Sequence, residues 1–232
     1  IGSFTGYYSG LVEASAAYEE AADIVEASNE LVKTQKFSPI NPNWNILNIN
    51  NLNFSYSLGE RPGLHDLSIS IDKGDKIALV GPSGGGKSTF LKILGGLLTP
   101  ESYELSTDVQ EKVSLTDLPQ IALLVPQEPE IFSETLHYNL SMGDNVSEEK
   151  LKEFITICRL DSVLAKLSNG LQTDLAEKGQ NLSVGEKQRV AMARGLLRAQ
   201  EKDILLLDEP TSSLDPKNEK EVFINLLSYF SH

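Results

Sequence analysis

A single cysteine, Cys158, stands in 232 residues, so no disulfide can form within the chain, as suits a reducing compartment. It ends the helical stretch Leu151-Lys-Glu-Phe-Ile-Thr-Ile-Cys158 and reads as a small buried hydrophobe. Histidine is nearly as scarce: His65, His137 and His232 are scattered and read as structural or surface residues. No run reaches the roughly 18 apolar residues of a membrane span. A basic excess is missing too, with 20 Lys and Arg against 33 Asp and Glu and a net charge of −13. That argues against nucleic acid as a partner, because a phosphate backbone needs a clustered basic face. A nucleotide remains compatible, since backbone N–H groups hold a few phosphates whatever the global charge. The chain opens on Ile1 rather than Met, which implies upstream sequence and leaves targeting signals unread.

What is present suffices for one large domain with a real core. Phe4, Leu11, Tyr18, Val25 and Val32 recur every seven residues, with Ala14, Ala21 and Ser28 beside them. This narrow seam predicts one long helix over residues 1–36 that packs on a partner helix. Phe37 to Asn43, with two prolines and two asparagines, reads as a linker. Strands are predicted over 44–57, 64–71 and 76–80, an antiparallel layer feeding a buried strand before Gly81. A helix over 90–98 ends at Gly95-Gly96, and residues 99–120 read as polar and irregular. Ile121 to Val125 is a short strand. Residues 128–181 read as mainly helical, Ser147 starting one helix and Asn169-Gly170 ending another. A helix over 183–198, a buried parallel-type strand over 203–208 and a helix over 218–230 complete the chain.

Two motifs carry chemistry. Gly81-Pro82-Ser83-Gly84-Gly85-Gly86-Lys87-Ser88-Thr89 follows a strand pattern and opens a helix, matching the phosphate-binding G-x-x-x-x-G-K-[ST] loop in full. Its glycines let the backbone wrap around oxygen atoms, and the helix N-terminus turns free N–H groups toward the same phosphates. Lys87 adds a point charge for the outer phosphates, and the Ser88 hydroxyl is set to bind Mg²⁺. Asp208-Glu209 closes an apolar strand, where α/β folds place ligands. Asp208 would hold Mg²⁺ and Glu209 would orient the attacking water.

From about residue 44 onward the chain resembles the ATP-binding cassette family, in which these motifs are Walker A and Walker B. Leu182-Ser-Val-Gly-Glu-Lys-Gln-Arg189 resembles the family signature and Ser212-Ser-Leu-Asp215 its D-loop. Gln127, in Val125-Pro-Gln-Glu, resembles the Q-loop glutamine, and Tyr56, in Asn53-Phe-Ser-Tyr, the aromatic that stacks on adenine. The implied fold is α/β: a P-loop NTPase core with an antiparallel β subdomain and an α-helical subdomain over about 128–181, preceded by the long helix. The implied ligands are ATP and Mg²⁺. Glu209, Lys87 and Gln127 would be catalytic, with Mg²⁺ on Ser88, Gln127 and Asp208. Ser183, Val184, Gly185, Glu186 and Asp215 would face the nucleotide of a second nucleotide-binding domain, identical or not. Ser183-x-x-Glu186 also reads as a helix capping box. Val184 and Glu186 depart from the commonest L-S-G-G-Q form, adding bulk and a negative charge.

The family's switch histidine ends a further strand beyond the D-loop. Here Ser228-Tyr-Phe-Ser-His232 still reads as helix, so His232 is not given that role. The chain is expected to stop short of that strand, to bind ATP, and to hydrolyse it poorly alone. Residues 1–36 resemble the cytoplasmic end of an exporter's last transmembrane helix, which implies a transmembrane domain on the same chain and a site on the cytoplasmic face of a membrane. Glu177-Lys-Gly179 resembles an exporter segment touching that domain, whereas Asp208-Glu-Pro-Thr211 is common in importer ATPases. A soluble cassette ATPase and a non-hydrolysing module are the other classes; the acidic charge weighs against the first and an intact Glu209 against the second.

Overall fold

The computed structural model describes residues 38–56, 63–128, 130–176 and 179–230. The helix expected over 1–36, the segment Glu177-Lys178 and His232 lie outside them. Every element below belongs to one unit, residues 39–232.

Strands β1 (Ile46–Phe54), β2 (Leu64–Asp72) and β3 (Ser102–Thr107) form an antiparallel sheet in the order β2-β1-β3. β1 buries Leu47 and Ile49, then Leu52 and Phe54, so its alternation slips by one residue at Asn50-Asn51. Both ladders are irregular there, and Asn51 takes a φ of 53°, which asparagine tolerates better than most residues. The buried face packs against α1 (Lys87–Leu94) through Phe90, Ile93 and Leu94, and against Trp44 and Leu206. This cluster is the core of the β subdomain.

A second core belongs to the helical subdomain. Helices α2 (Leu136–Ser141), α3 (Glu148–Ile157) and α4 (Asp161–Lys166) follow β4 (Ala122–Val125). Leu136, Leu140, Leu151 and Phe154 meet Val190 and Leu196 of α5 (Val184–Ala199) and Val222 and Leu226 of α6 (Pro216–Tyr229). Cys158 is fully buried within it, and burial pushes its thiol well above the usual range, as the reading of a small hydrophobe requires. β5 (Ile204–Leu207) pairs parallel with β4 in strict register, from Ala122 opposite Ile204 to Val125 opposite Leu207. Gln127 and Asp208 therefore leave the same end of this pair, where ligands bind in parallel sheets.

Three expectations need correction. Lys76 to Val80 is not a strand: it pairs with nothing in the sheets, and Ile77 and Val80 are exposed. An apolar run specifies a wish for burial, not a ladder partner, and here a cavity of about 470 Å³ lies between Ile77-Ala78-Leu79 and β5. Residues 99–120 are not irregular throughout. They hold β3, whose polar residues suit an edge beside β1, and a 3-10 turn at Leu115–Gln120 capped by Ser114. Asn169-Gly170 does not end a helix; α4 stops at Lys166, and Gly170–Gln172 is a separate 3-10 turn.

Candidate active site

The loop between β2 and α1 is built for anions. Gly84 and Gly86 have φ of +79° and +85°, and a Cβ on Gly86 would lie 2.5 Å from Leu64 Cδ2. Gly86 is the N-cap of α1 and gives no side-chain hydrogen bond, so the first turn's N–H groups are left for another acceptor. Lys87 Nζ donates to the carbonyls of Gly81 and Pro82, both at 2.9 Å, so the ammonium folds back over its own loop. Gly81 to Gly85 are exposed. Thr89, buried on α1, meets the Tyr56 hydroxyl at 2.9 Å, and the Tyr56 ring stands edge-on to Phe54. Tyr56 thus borders the loop.

Ser88 Oγ donates to Asp208 Oδ1 at 2.7 Å across 120 residues of sequence. This pair of hard oxygen donors fits Mg²⁺, which takes one or two protein oxygens and leaves the rest of its shell to water and phosphate. Among the described residues no cluster of three or more His, Cys, Asp and Glu is gathered for a metal. Gln127 does not join Ser88. Its Nε2 donates to Glu209 Oε2 at 2.8 Å, and Glu209 holds a φ of 44° just beyond β5. The two carboxylates at the strand end are thereby separated, with Asp208 buried against the loop and Glu209 exposed beside Gln127.

The signature segment forms a complete capping box. Ser183 Oγ accepts from Glu186 N, and Glu186 Oε2 accepts from Ser183 N at 2.8 Å. Glu186 also meets Lys166 Nζ at 3.2 Å, so a charge on α4 offsets the one that replaces glutamine. Burial works to raise the Glu186 carboxyl, but hydrogen bonds from Ser183 and the Lys166 ammonium outweigh it and hold the group below its usual range. A carboxyl depressed on folding stabilises the protein above its unfolded value of about 4.3 and loses that contribution as pH falls through the folded value. Glu186→Gln should therefore flatten the acid limb of a melting-temperature profile below about pH 4.3. Superimposable acid limbs in circular-dichroism melts would contradict this. Val184 is 61% exposed at the first turn of α5. A Cβ on Gly185 would lie 2.9 Å from Ser213 O, so the chain's own D-loop covers that glycine. Asp215 caps α6, accepting from Lys217 N and Asn218 N at 3.1 Å, and the Asn218 amide leads the bonds that lower its carboxyl.

One residue escaped the sequence reading. Gln188, 5% exposed, donates to Ser212 Oγ at 3.0 Å and accepts from Ser213 N at 3.0 Å. The polar residue on the buried face of an amphipathic helix was the available signal.

The ABC transporter domain description matches residues 64–212. The chain belongs to the ABC transporter family. It is 35% identical over 222 residues to the mesentericin transport/processing ATP-binding protein MesD of Leuconostoc mesenteroides, covering 94% of this chain and 30% of that protein. It is 36% identical over 181 residues to the mycobactin import ATP-binding/permease protein IrtB of Mycolicibacterium smegmatis, covering 77% and 31%. A solved structure of a bacterial Atm1-family ABC exporter with ATP bound superposes with a TM-score of 0.71 at 30% identity, covering 93% of this chain and 39% of that one. The chain thus spans about a third of the length of the curated relatives it matches. Among the described residues of this ABC domain no helix is long and apolar enough to cross a membrane.

Proposed function

We propose that this chain is the ATP-hydrolysing motor of an exporter-type ABC transporter, working face to face with a second nucleotide-binding domain on the cytoplasmic side of a membrane. The observation that carries it is one strand end: Ser88–Asp208 beside the glycine loop, and Gln127–Glu209 next to it. On this reading the main-chain N–H groups of Ser83 to Thr89 and the Lys87 ammonium hold the phosphates, and Tyr56 supports the adenine. Ser88 and Asp208 would hold Mg²⁺, with the Gln127 side-chain oxygen as a further donor. Mg²⁺, when bound, would neutralise charge on the outer phosphate oxygens. Glu209, oriented by Gln127, takes the proton of the attacking water. Ser183, Val184, Gly185 and Glu186 of a second domain cap the terminal phosphate, with Asp215 nearby. Cargo and its direction would be set by the transmembrane domain; the relatives' names range from transport/processing to import.

The test is a cross-link. Ser83→Cys with Ser183→Cys, in a Glu209→Gln background of the full-length protein, is expected to form an inter-domain disulfide only when Mg·ATP is added. Cys158 is buried and would not interfere. ATP-independent cross-linking, or none, would contradict the face-to-face arrangement.

A further inference from the structure

An anion already sits at the helix end that would receive the partner's phosphate. Glu186 stands in the first turn of α5, where the commonest form of the signature has a neutral glutamine. Its Oε2 accepts from Ser183 N at 2.8 Å, and its Oε1 accepts from Lys166 Nζ at 3.2 Å. Glutamine would accept the first of these bonds through its amide oxygen and bring no charge. The capping box takes up the N–H groups of Ser183 and Glu186, so an incoming phosphate would meet those of Val184 and Gly185. A carboxylate one residue further on opposes that phosphate with a full charge, against about half a charge of the opposite sign at the helix end. Lys166, the last residue of α4, is exposed, whereas the Glu186 side chain is only 15% exposed. The ammonium is thus the more accessible member of the pair. In a chain of net charge −13, few cations are available for this task.

We propose that Lys166 is a positioning residue for closure over ATP. It neutralises Glu186, so that the first turn of α5 can receive the terminal phosphate held by a second domain. This rests on the two-domain reading above. An exposed ion pair contributes little to folding. Its effect on a polyphosphate is larger, because closure removes water from between the charges and their interaction strengthens as the local dielectric falls. With both residues present, the pair offers the phosphate no net charge. Without Lys166 the same turn offers a negative charge, and without Glu186 a positive one. The two ends of one ion pair therefore act on the nucleotide in opposite directions, although either loss breaks the same contact.

The experiment is kcat/KM for ATP in the full-length reconstituted protein. Lys166→Ala is expected to lower it about tenfold, and Lys166→Arg, which keeps the charge, to restore most of it. Glu186→Gln is expected to raise it about threefold, since the ammonium is then unopposed. The double variant should fall between the two single ones. Raising the salt from about 0.1 to 1 M shortens the Debye length from about 10 to 3 Å and should narrow the gap between Lys166→Ala and wild type. A pair that only braced the capping box would lose activity from either end. A Glu186→Gln protein that falls with Lys166→Ala therefore overturns the proposal, as does a Lys166→Ala protein with the wild-type kcat/KM. Failure of the ATP-dependent inter-domain cross-link would instead overturn the two-domain reading.

Discussion

Glu209→Gln is expected to cut ATP turnover at least about 100-fold, the usual contribution of a positioned general base, while ATP remains bound. Glu209 stands just past β5 in a left-handed backbone conformation, its carboxylate held by Gln127. Glutamine preserves the volume and can still accept the Gln127 hydrogen bond through its amide oxygen. What it loses is the capacity to take a proton and one negative charge beside the phosphates. Two consequences follow from that single change. Hydrolysis stops for want of a base, and the closed pair of domains becomes easier to form, because repulsion between the carboxylate and the terminal phosphate is gone. The variant should therefore accumulate as an ATP-bound dimer, read by light scattering on a size-exclusion column. A monomer hydrolysing at the wild-type rate would remove Glu209 from the reaction.

The second large effect falls on binding. Lys87→Ala is expected to weaken Mg·ATP binding by roughly 10- to 100-fold, the range of about 1.5–3 kcal/mol for a hydrogen bond to a charged group. The ammonium bonds the carbonyls of Gly81 and Pro82 at the mouth of the loop. On the proposed reading, an incoming phosphate would draw the same ammonium away from these carbonyls. Lys87→Arg should not restore affinity, since a planar fork cannot replace a compact point charge inside a loop. Full affinity in Lys87→Ala, measured with a fluorescent ATP analogue, would refute this role.

Local motifs were legible because their physics is local. The helix that opens on the glycine loop, the Ser183–Glu186 box and the strand leading to Asp208-Glu209 are each written in a few consecutive residues and each takes the expected form, whereas the strand expected before Gly81 does not. The helix expected over 218–230 is seen over Pro216–Tyr229, and its Asp215 cap was not read from the sequence. What was hidden depends on residues far apart. Residues 76–80 carry a strand pattern, yet the pattern says nothing of which edge will receive them. β3 lies in polar sequence and owes its strand state to pairing with β1 more than 50 residues earlier, with Leu47 opposite Thr107. Gln188 resembles any other polar helix residue until Gln127 and Ser212 are brought beside it. Gln127 shows both sides of this. Its place after β4 was readable, but its contact with Glu209, 82 residues on, was not.

The central claim is that main-chain N–H groups at residues 83–89, with Lys87 and the Ser88–Asp208 pair, grip a nucleoside triphosphate. Isothermal titration of the purified protein with Mg·ATP tests it most directly. The account predicts saturable binding at one nucleotide per chain, weakened by Lys87→Ala and retained by Glu209→Gln. A folded protein that takes up no Mg·ATP would contradict it.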